Sequence, residues 1–225
     1  MKSLNNWLLV LSVLSCFGCS SPVHEDDRGC AFVSDSIQYR VEFMSEGCVR
    51  ILSFPEGDTL VTKRLVVDSE KPAFKDYKWE DTGQKLLFRT RELSVVFDKA
   101  DAAFIFQETS TGKLLLKEKG DRKARNFKRS VAGGEQCLEV TQCFVPTEDE
   151  AIYGLGQYQN GIMNYRGKSV LLLQANMDIV NPFLISTNGY GVLWDNYSST
   201  KFEDTKEGYS FTSEVGDASD YYFVY

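Results

Sequence analysis

Apolar residues along this chain recur at every second position. Ile37, Tyr39, Val41 and Phe43 make one such run. After the turn signal Ser45-Glu46-Gly47, Val49 and Ile51 start another. Leu65-Val66-Val67 is a short apolar stretch, and Leu86 to Thr90 leads on to Leu93 to Phe97. Ala102 to Glu108 meets the turn Thr109-Ser110-Thr111-Gly112, and Leu114 to Leu116 returns as the second arm of a hairpin. Glu135 to Val145, Ser169 to Gln174, Phe183 to Ser186 and Gly191 to Trp194 are also strand-like, with Asn188-Gly189 as a hairpin turn. Period two puts successive side chains on opposite faces of a strand. No window of twelve or more residues carries a helical stripe. Many short strands with one apolar face each predict an all-β sandwich of two antiparallel sheets, each hiding a face on the other.

Composition supports this reading. The 15 Phe, 11 Tyr and 3 Trp suit half-buried pleated surfaces. A length of 225 residues is enough to bury a core without metals or staples. The formal charge of −7 disfavours nucleic acid as a partner, because phosphate binding needs clustered Lys and Arg. The basic run from Lys117 to Arg129 is the exception, and it reads as a solvated loop or hairpin edge. No Gly-rich loop follows a strand in the manner of a phosphate cradle. The one histidine, His24, lies ahead of the predicted strands, so no zinc site or other metal site is expected, and no cofactor.

The first 18 residues have the grammar of an export signal: Lys2, an apolar core from Trp7 to Leu14, and the small residue Gly18. The end of this segment resembles a bacterial lipoprotein signal, which implies lipidation of Cys19. Residues 19–30 are polar and acidic, similar to the tethers behind the lipid cysteine in surface lipoproteins of the Bacteroides group. These features predict an exported chain held by a lipid at the outer membrane, on the cell surface or the periplasmic face, with a solvated His24.

Four cysteines lie beyond the signal. Cys137 and Cys143 share one predicted strand, which holds them about 20 Å apart and far outside disulfide reach. All four read as core or reduced thiols, with Cys30 and Cys48 as the pair to check.

Chemistry-bearing residues concentrate after position 150. Tyr153-Gly154-Leu155-Gly156-Gln157 is followed by Asn164-Tyr165-Arg166-Gly167, Gln174-Ala175-Asn176-Met177-Asp178, Asn181-Pro182-Phe183 and Gly189 to Asn196. Amides, carboxylates and aromatics interleaved with glycine suit sugar recognition. Tyr153, Phe183, Tyr190 and Trp194 equally suit core packing, with the glycines as turns.

This segment resembles glycoside hydrolase family 31, the α-glucosidase and α-xylosidase family, over about residues 31–225. Tyr153 to Gln157 matches its Tyr-Gly-Leu/Phe-Gly-Glu/Gln signature. Asn176-Met177-Asp178 matches an Asn-x-Asp-like element, although Gln174-Ala175 replaces its aromatic lead-in. The Pro182-Phe183 strand and the hairpin from Gly189 to Asp195 follow in order, and the nearest likeness is the Bacteroides-type α-xylosidase branch. The resemblance implies a galactose-mutarotase-like β-sandwich at residues 31–225 that packs on a (β/α)8 barrel. The barrel carries both aspartates of the retaining reaction and would continue beyond Tyr225, so no catalytic residue is assigned here. It also implies that Asp178, supported by Asn176, contacts an α-linked xylose or glucose oligosaccharide at the active-site rim. Two other readings stay open: a stand-alone surface lipoprotein that binds glycans, and a sugar epimerase working by carboxylates, since a histidine-dependent mutarotase is excluded.

Overall fold

The computed structural model describes residues 22–58, 66 and 73–225. Within them the alternation becomes eighteen strands, and no described residue is helical. The first four strands are β1 (His24–Glu25), β2 (Cys30–Ser34), β3 (Ile37–Phe43) and β4 (Cys48–Pro55). After them come β5 (Lys78–Asp81), β6 (Lys85–Arg89), β7 (Leu93–Asp98), β8 (Ala103–Glu108) and β9 (Leu114–Glu118). The middle of the chain forms β10 (Arg125–Ala132), β11 (Glu135–Val145), β12 (Ile152–Gln157) and β13 (Ser169–Leu172). The last five are β14 (Ile179–Ser186), β15 (Tyr190–Trp194), β16 (Thr200–Thr205), β17 (Gly208–Gly216) and β18 (Ser219–Val224).

Two antiparallel sheets result, as the periodicity predicts. An eight-stranded sheet has the order β1-β2-β3-β4-β18-β15-β14-β12. A ten-stranded sheet runs β13-β16-β17-β11-β9-β8-β7-β6-β5, with β10 paired to β11 beside this path. Aromatic pairs join the sheets. Phe106 of β8 stacks on Phe223 of β18 at 4.3 Å between centroids. Trp194 of β15 lies parallel to Phe211 of β17 at 5.6 Å, and Phe32 of β2 meets Phe97 of β7 at 4.8 Å. Such pairs add about 1 kcal/mol each beyond the area they bury. The predicted turn at Asn188-Gly189 is present, and the Asn188 amide donates to the Leu114 and Leu115 carbonyls of the opposite sheet, at 3.2 and 2.7 Å.

The basic run departs from its reading as a solvated edge. Its members at 118 and 125 turn inward, where Glu118 and Arg125 form a buried ion pair. The Glu118 carboxylate also accepts from Phe104 N at 2.7 Å, Gln142 Nε2 at 2.9 Å and Tyr221 Oη at 2.9 Å. Arg125 reaches Tyr39 Oη at 2.8 Å and the Ala102 carbonyl at 3.0 Å. Lys128 and Arg129 stay on the exposed ribbon of β10, where charge guards an unpaired edge.

The acidic stretch is likewise more structured than a tether through residue 30. The predicted signal peptide and Cys19 lie outside the described residues, but Val23 packs on the core and β1 pairs with β2. Asp26 accepts from the Arg28 and Gly29 amides, at 2.8 and 3.2 Å, and from Arg40 Nη2 at 2.7 Å through both oxygens. Partial burial alone would raise the Asp26 pKa, but these donors overcome it and hold the carboxyl at about 2. Local polar spacing in Asp26-x-Arg28-Gly29 thus docks a segment without apolar periodicity. His24 is exposed.

All four thiols are free. Cys30 sits on β2 and Cys48 on β4, with β3 between them. Two strand spacings are about 10 Å, beyond disulfide reach. Cys30 Sγ instead faces Tyr77 Oη at 3.7 Å. Cys137 and Cys143 lie along one strand, β11.

Removing the Glu118 carboxylate strands a buried guanidinium and three further donors. Glu118→Ala is expected to lower unfolding stability by about 3–5 kcal/mol, with a smaller loss for Glu118→Gln. Urea denaturation followed by tryptophan fluorescence checks the ranking.

Candidate functional site

Asn176 and Asp178 lie on the connection between β13 and β14. Gln174 shapes it. Its Nε2 donates to the Asp178 carbonyl at 2.7 Å, and its Oε1 accepts from Val180 N at 3.1 Å. Ala175 and Asp178 form a bridge, closed by Asp178 N donating to the Ala175 carbonyl at 3.3 Å. Met177 sits in the left-handed region at φ 70°. Gln174 therefore clamps the turn. Asn176 is exposed and Asp178 half-buried, and among the described residues nothing donates to the Asp178 carboxylate. A clamped backbone with a free acceptor is ready for a hydroxyl donor from outside.

The glycine-rich signature sets the position of this turn. β12 pairs with β14, so Gly154 lies opposite Leu184 and Gly156 opposite Val180. Two steps on β12 therefore face four on β14. The slack falls at Asn181-Pro182-Phe183, where Pro182 has no N–H to offer a ladder. Gly154 and Gly156 adopt φ of 98° and 116°, and a Cβ on them would lie 2.5 Å from the Phe183 carbonyl oxygen and 2.1 Å from that of Ile179. Ile179 directly follows Asp178. The close approach at Gly156 thus fixes where the Asp178 turn leaves the sheet.

The other polar residues singled out in the sequence are mostly used inside the fold. Asn164 Oδ1 accepts from Ile152 N and Arg166 N, each at 3.1 Å. Arg166 binds Asp204 at 3.0 Å and the carbonyls of Thr147 and Glu150 at 3.1 and 2.8 Å. These bonds tie the start of β12 to β16 of the other sheet. Tyr190 donates to Glu150, and its pKa is pushed far up by burial, with Tyr209 and the Glu150 charge adding to the rise. Tyr158 donates to the Leu155 carbonyl at 3.0 Å, and burial lifts its hydroxyl to about 12. Trp194 is core, with Nε1 on Ser213 Oγ at 2.8 Å. Tyr190 is core too, Phe183 is partly covered, and Tyr153 is exposed.

An open cleft of about 420 Å3 adjoins the turn, lined by Leu173, Gln174, Asn181, Asp195, Tyr197 and Ser199 among others. The sequence reading placed Asp195 at the end of the aromatic hairpin and did not single out Tyr197. Asp195 is buried, and its Oδ1 has no hydrogen-bond partner. It lies beside Asp220, whose carboxyl burial lifts to about 6 against the pull of Arg50, with the Asp195 charge contributing. Asp178 and Asn176 do not line the cleft, although Gln174 joins the two. Among the described residues no cluster of His, Cys, Asp and Glu is arranged to hold a metal.

A model of the glycosyl hydrolase 31 N-terminal galactose mutarotase-like domain matches residues 38–203. An α-xylosidase of Saccharolobus solfataricus is 32% identical over 205 residues, covering 84% of this chain and 26% of that one. An isomaltosyltransferase of Sporosarcina globispora is 22% identical over 200 residues, covering 82% and 17%. The chain therefore spans about a quarter or less of the length of these curated relatives. Among solved structures, a family 31 α-xylosidase of Xanthomonas citri superposes with a TM-score of 0.68 at 29% identity, over 82% of this chain and 20% of that one. A soil-metagenome α-xylosidase complexed with xylose shares the fold, with a TM-score of 0.73 at 24% identity over 91% and 32%.

The steric argument at Gly156 makes a prediction. Gly156→Ala adds a Cβ against a carbonyl oxygen at a left-handed φ and is expected to cost at least about 3 kcal/mol. Gly161→Ala, at φ 68° with open space around it, is expected to cost only about 1 kcal/mol. Comparing the two denaturation midpoints checks this.

Proposed function

The chain belongs to glycosyl hydrolase family 31 through its N-terminal galactose mutarotase-like domain, and on that premise we propose that it is the non-catalytic β-sandwich of an exported retaining α-glycosidase. In this reading the sandwich packs on a (β/α)8 barrel that carries the catalytic aspartates. The substrate class is an α-linked xylose or glucose oligosaccharide. The observation that carries the reading is the Asp178 turn: a carboxylate without donors among the described residues, beside exposed Asn176, on a backbone clamped by Gln174. At the rim of a sugar site, such a carboxylate accepts from hydroxyls and orients the substrate, while the barrel breaks the glycosidic bond. Charge-assisted bonds of this kind contribute about 1.5–3 kcal/mol each.

β18 lies inside its sheet, between β4 and β15, and large apolar residues, Tyr153, Ile179 and Ile185, are exposed further along the same sheet on β12 and β14. Both features support a partner-bound sandwich over a stand-alone glycan-binding lipoprotein. The similarity to α-xylosidases at 32% and 29% identity supports xylosides as the first substrates to try.

The reading predicts that the purified chain hydrolyses neither aryl α-xyloside nor aryl α-glucoside above the buffer rate. Robust turnover abolished by one Asp substitution would overturn it.

The export reading, with its Bacteroides-type tether, is part of the same proposal. A lipid on Cys19 holds the sandwich at the outer membrane, with residues from Val23 onward docked on it. Expression with an alkyne fatty acid in a Gram-negative host should label the chain. Cys19→Ala should lose the label and move to the soluble fraction, and labelling that survives the substitution contradicts the assignment.

A further inference from the structure

Most of the segment that reads as a tether is taken up by the sandwich. Val23 packs on the core, and β1 pairs His24 with Ala31 and Glu25 with Cys30 of β2. The Glu25 carboxylate accepts from Tyr77 Oη and from Trp79 Nε1 of β5, each at 3.1 Å. Lys75 Nζ donates to the Asp26 carbonyl at 2.8 Å. Gly29 lies so close to β3 that a Cβ on it would stand 2.2 Å from the Val41 carbonyl oxygen. With the Arg40–Asp26 ion pair, these contacts fix residues 23–29 across the β1 and β5 edges, one from each sheet.

Little chain is left between this edge and Cys19. Cys19 stands three residues before Pro22. An extended chain advances at most about 3.6 Å per residue, so their Cα atoms lie no more than about 11 Å apart. A free chain from Cys19 to Cys30 would reach about 40 Å. The sheet itself is wide. β14, from which the Asp178 turn emerges, is six strands from β1, about 29 Å along the sheet. The edge nearest Pro22 is also polar. Among the described residues no exposed large hydrophobic side chain lies on β1 or β5, whose exposed residues are His24, Glu25, Lys78, Glu80 and Asp81. Such an edge rests among hydrated headgroups and does not insert, because interfacial insertion needs an apolar face.

We propose that the β1/β5 edge is the surface that meets the bilayer: a lipid on Cys19 holds it against the headgroups, and the Asp178 turn stands clear of them at the far end of the sandwich. This rests on the lipidation reading above. A tether of about 40 Å would let any face of the domain meet the membrane in turn. A link of about 11 Å leaves that contact to the edge beside Pro22. The bonds made by Glu25, Asp26 and Gly29 therefore set an orientation as well as a fold. The turn that faces sugar is held at a height set by the width of the sheet, and glycans reach it from the solvent side.

The test uses the full chain, expressed with its signal in a Gram-negative host and purified into vesicles of phosphatidylethanolamine and phosphatidylglycerol that carry a headgroup-linked acceptor dye. A donor dye is attached to an azidophenylalanine in place of Lys78 or of Asn176, both exposed. With about 29 Å of sheet between β1 and β14, energy transfer is expected to be at least about twofold more efficient from position 78 than from position 176. Twenty Gly-Ser residues inserted between Ser21 and Pro22 should lower transfer from position 78 and bring the two positions together. Glu25→Ala/Asp26→Ala, which loosens the docked segment, should act in the same direction, with circular dichroism showing that the sandwich stays folded. Equal transfer from the two positions without the insert, stronger transfer from position 176, or an insert that changes nothing overturns the proposal. Cys19→Ala separates the two readings. Vesicle binding that is the same with and without Cys19 means that the lipidation reading has failed, and the oriented edge falls with it. Binding that needs Cys19, with equal transfer from both positions, sinks the edge alone.

Discussion

Glu118 is buried between the sheets, and its two carboxylate oxygens accept from Phe104 N, Arg125, Gln142 and Tyr221. The donors come from β8, β10, β11 and β18, so one anion ties four strands across both layers. A carboxylate out of water costs several kcal/mol unless its lone pairs are filled. Here they are filled by groups that need an acceptor equally. Apolar packing alone tolerates slippage between sheets, whereas this constellation has one arrangement that satisfies every member. It holds β18 in place, β18 holds β15, and the β15–β14 hairpin holds the strand from which the Asp178 turn emerges.

The turn inherits its geometry from a second constraint. At Gly154 and Gly156 two backbones approach closer than any side chain allows, and Pro182 opposite breaks the ladder. The chain then leaves β14 at a fixed point, with Gln174 locking the turn behind it. Rigid support on one side and an unpaired carboxylate on the other is how a site is pre-organised. The sandwich has charged edge strands, β1 and β5, at one end and uncharged edge strands, β12 and β13, at the other, and the turn lies at the uncharged end.

The strands were legible because each buries one face, and burial writes period two into the sequence. The sandwich follows from that signal, the hairpin turns at Gly112 and Gly189 from their turn residues, and the interest of residues 151–196 from the amides, carboxylates and aromatics interleaved with glycine there. What was illegible depends on partners distant in sequence. Glu118 and Arg125 look like any members of a charged run, because their donors and acceptors lie on other strands. Asp26 and the docked residues around it carry no apolar rhythm, since polar bonds to Arg40 hold them. Asn164 and Arg166 look free to bind sugar until the fold brings Ile152 and Asp204 to them. The Cys30–Cys48 pair looks plausible until β3 is seen to lie between its members. Asp195 shows no sign in the sequence of its unfilled oxygen.

The central claim is that this sandwich offers Asp178 to a sugar whose chemistry is done elsewhere. The direct measurement is a crystal structure of residues 22–225 joined to a family 31 barrel, soaked with xylose. The account predicts an Asp178 carboxylate oxygen about 2.7 Å from a xylose hydroxyl. A xylose bound at the barrel mouth with Asp178 facing solvent and no hydroxyl within hydrogen-bond reach would contradict it.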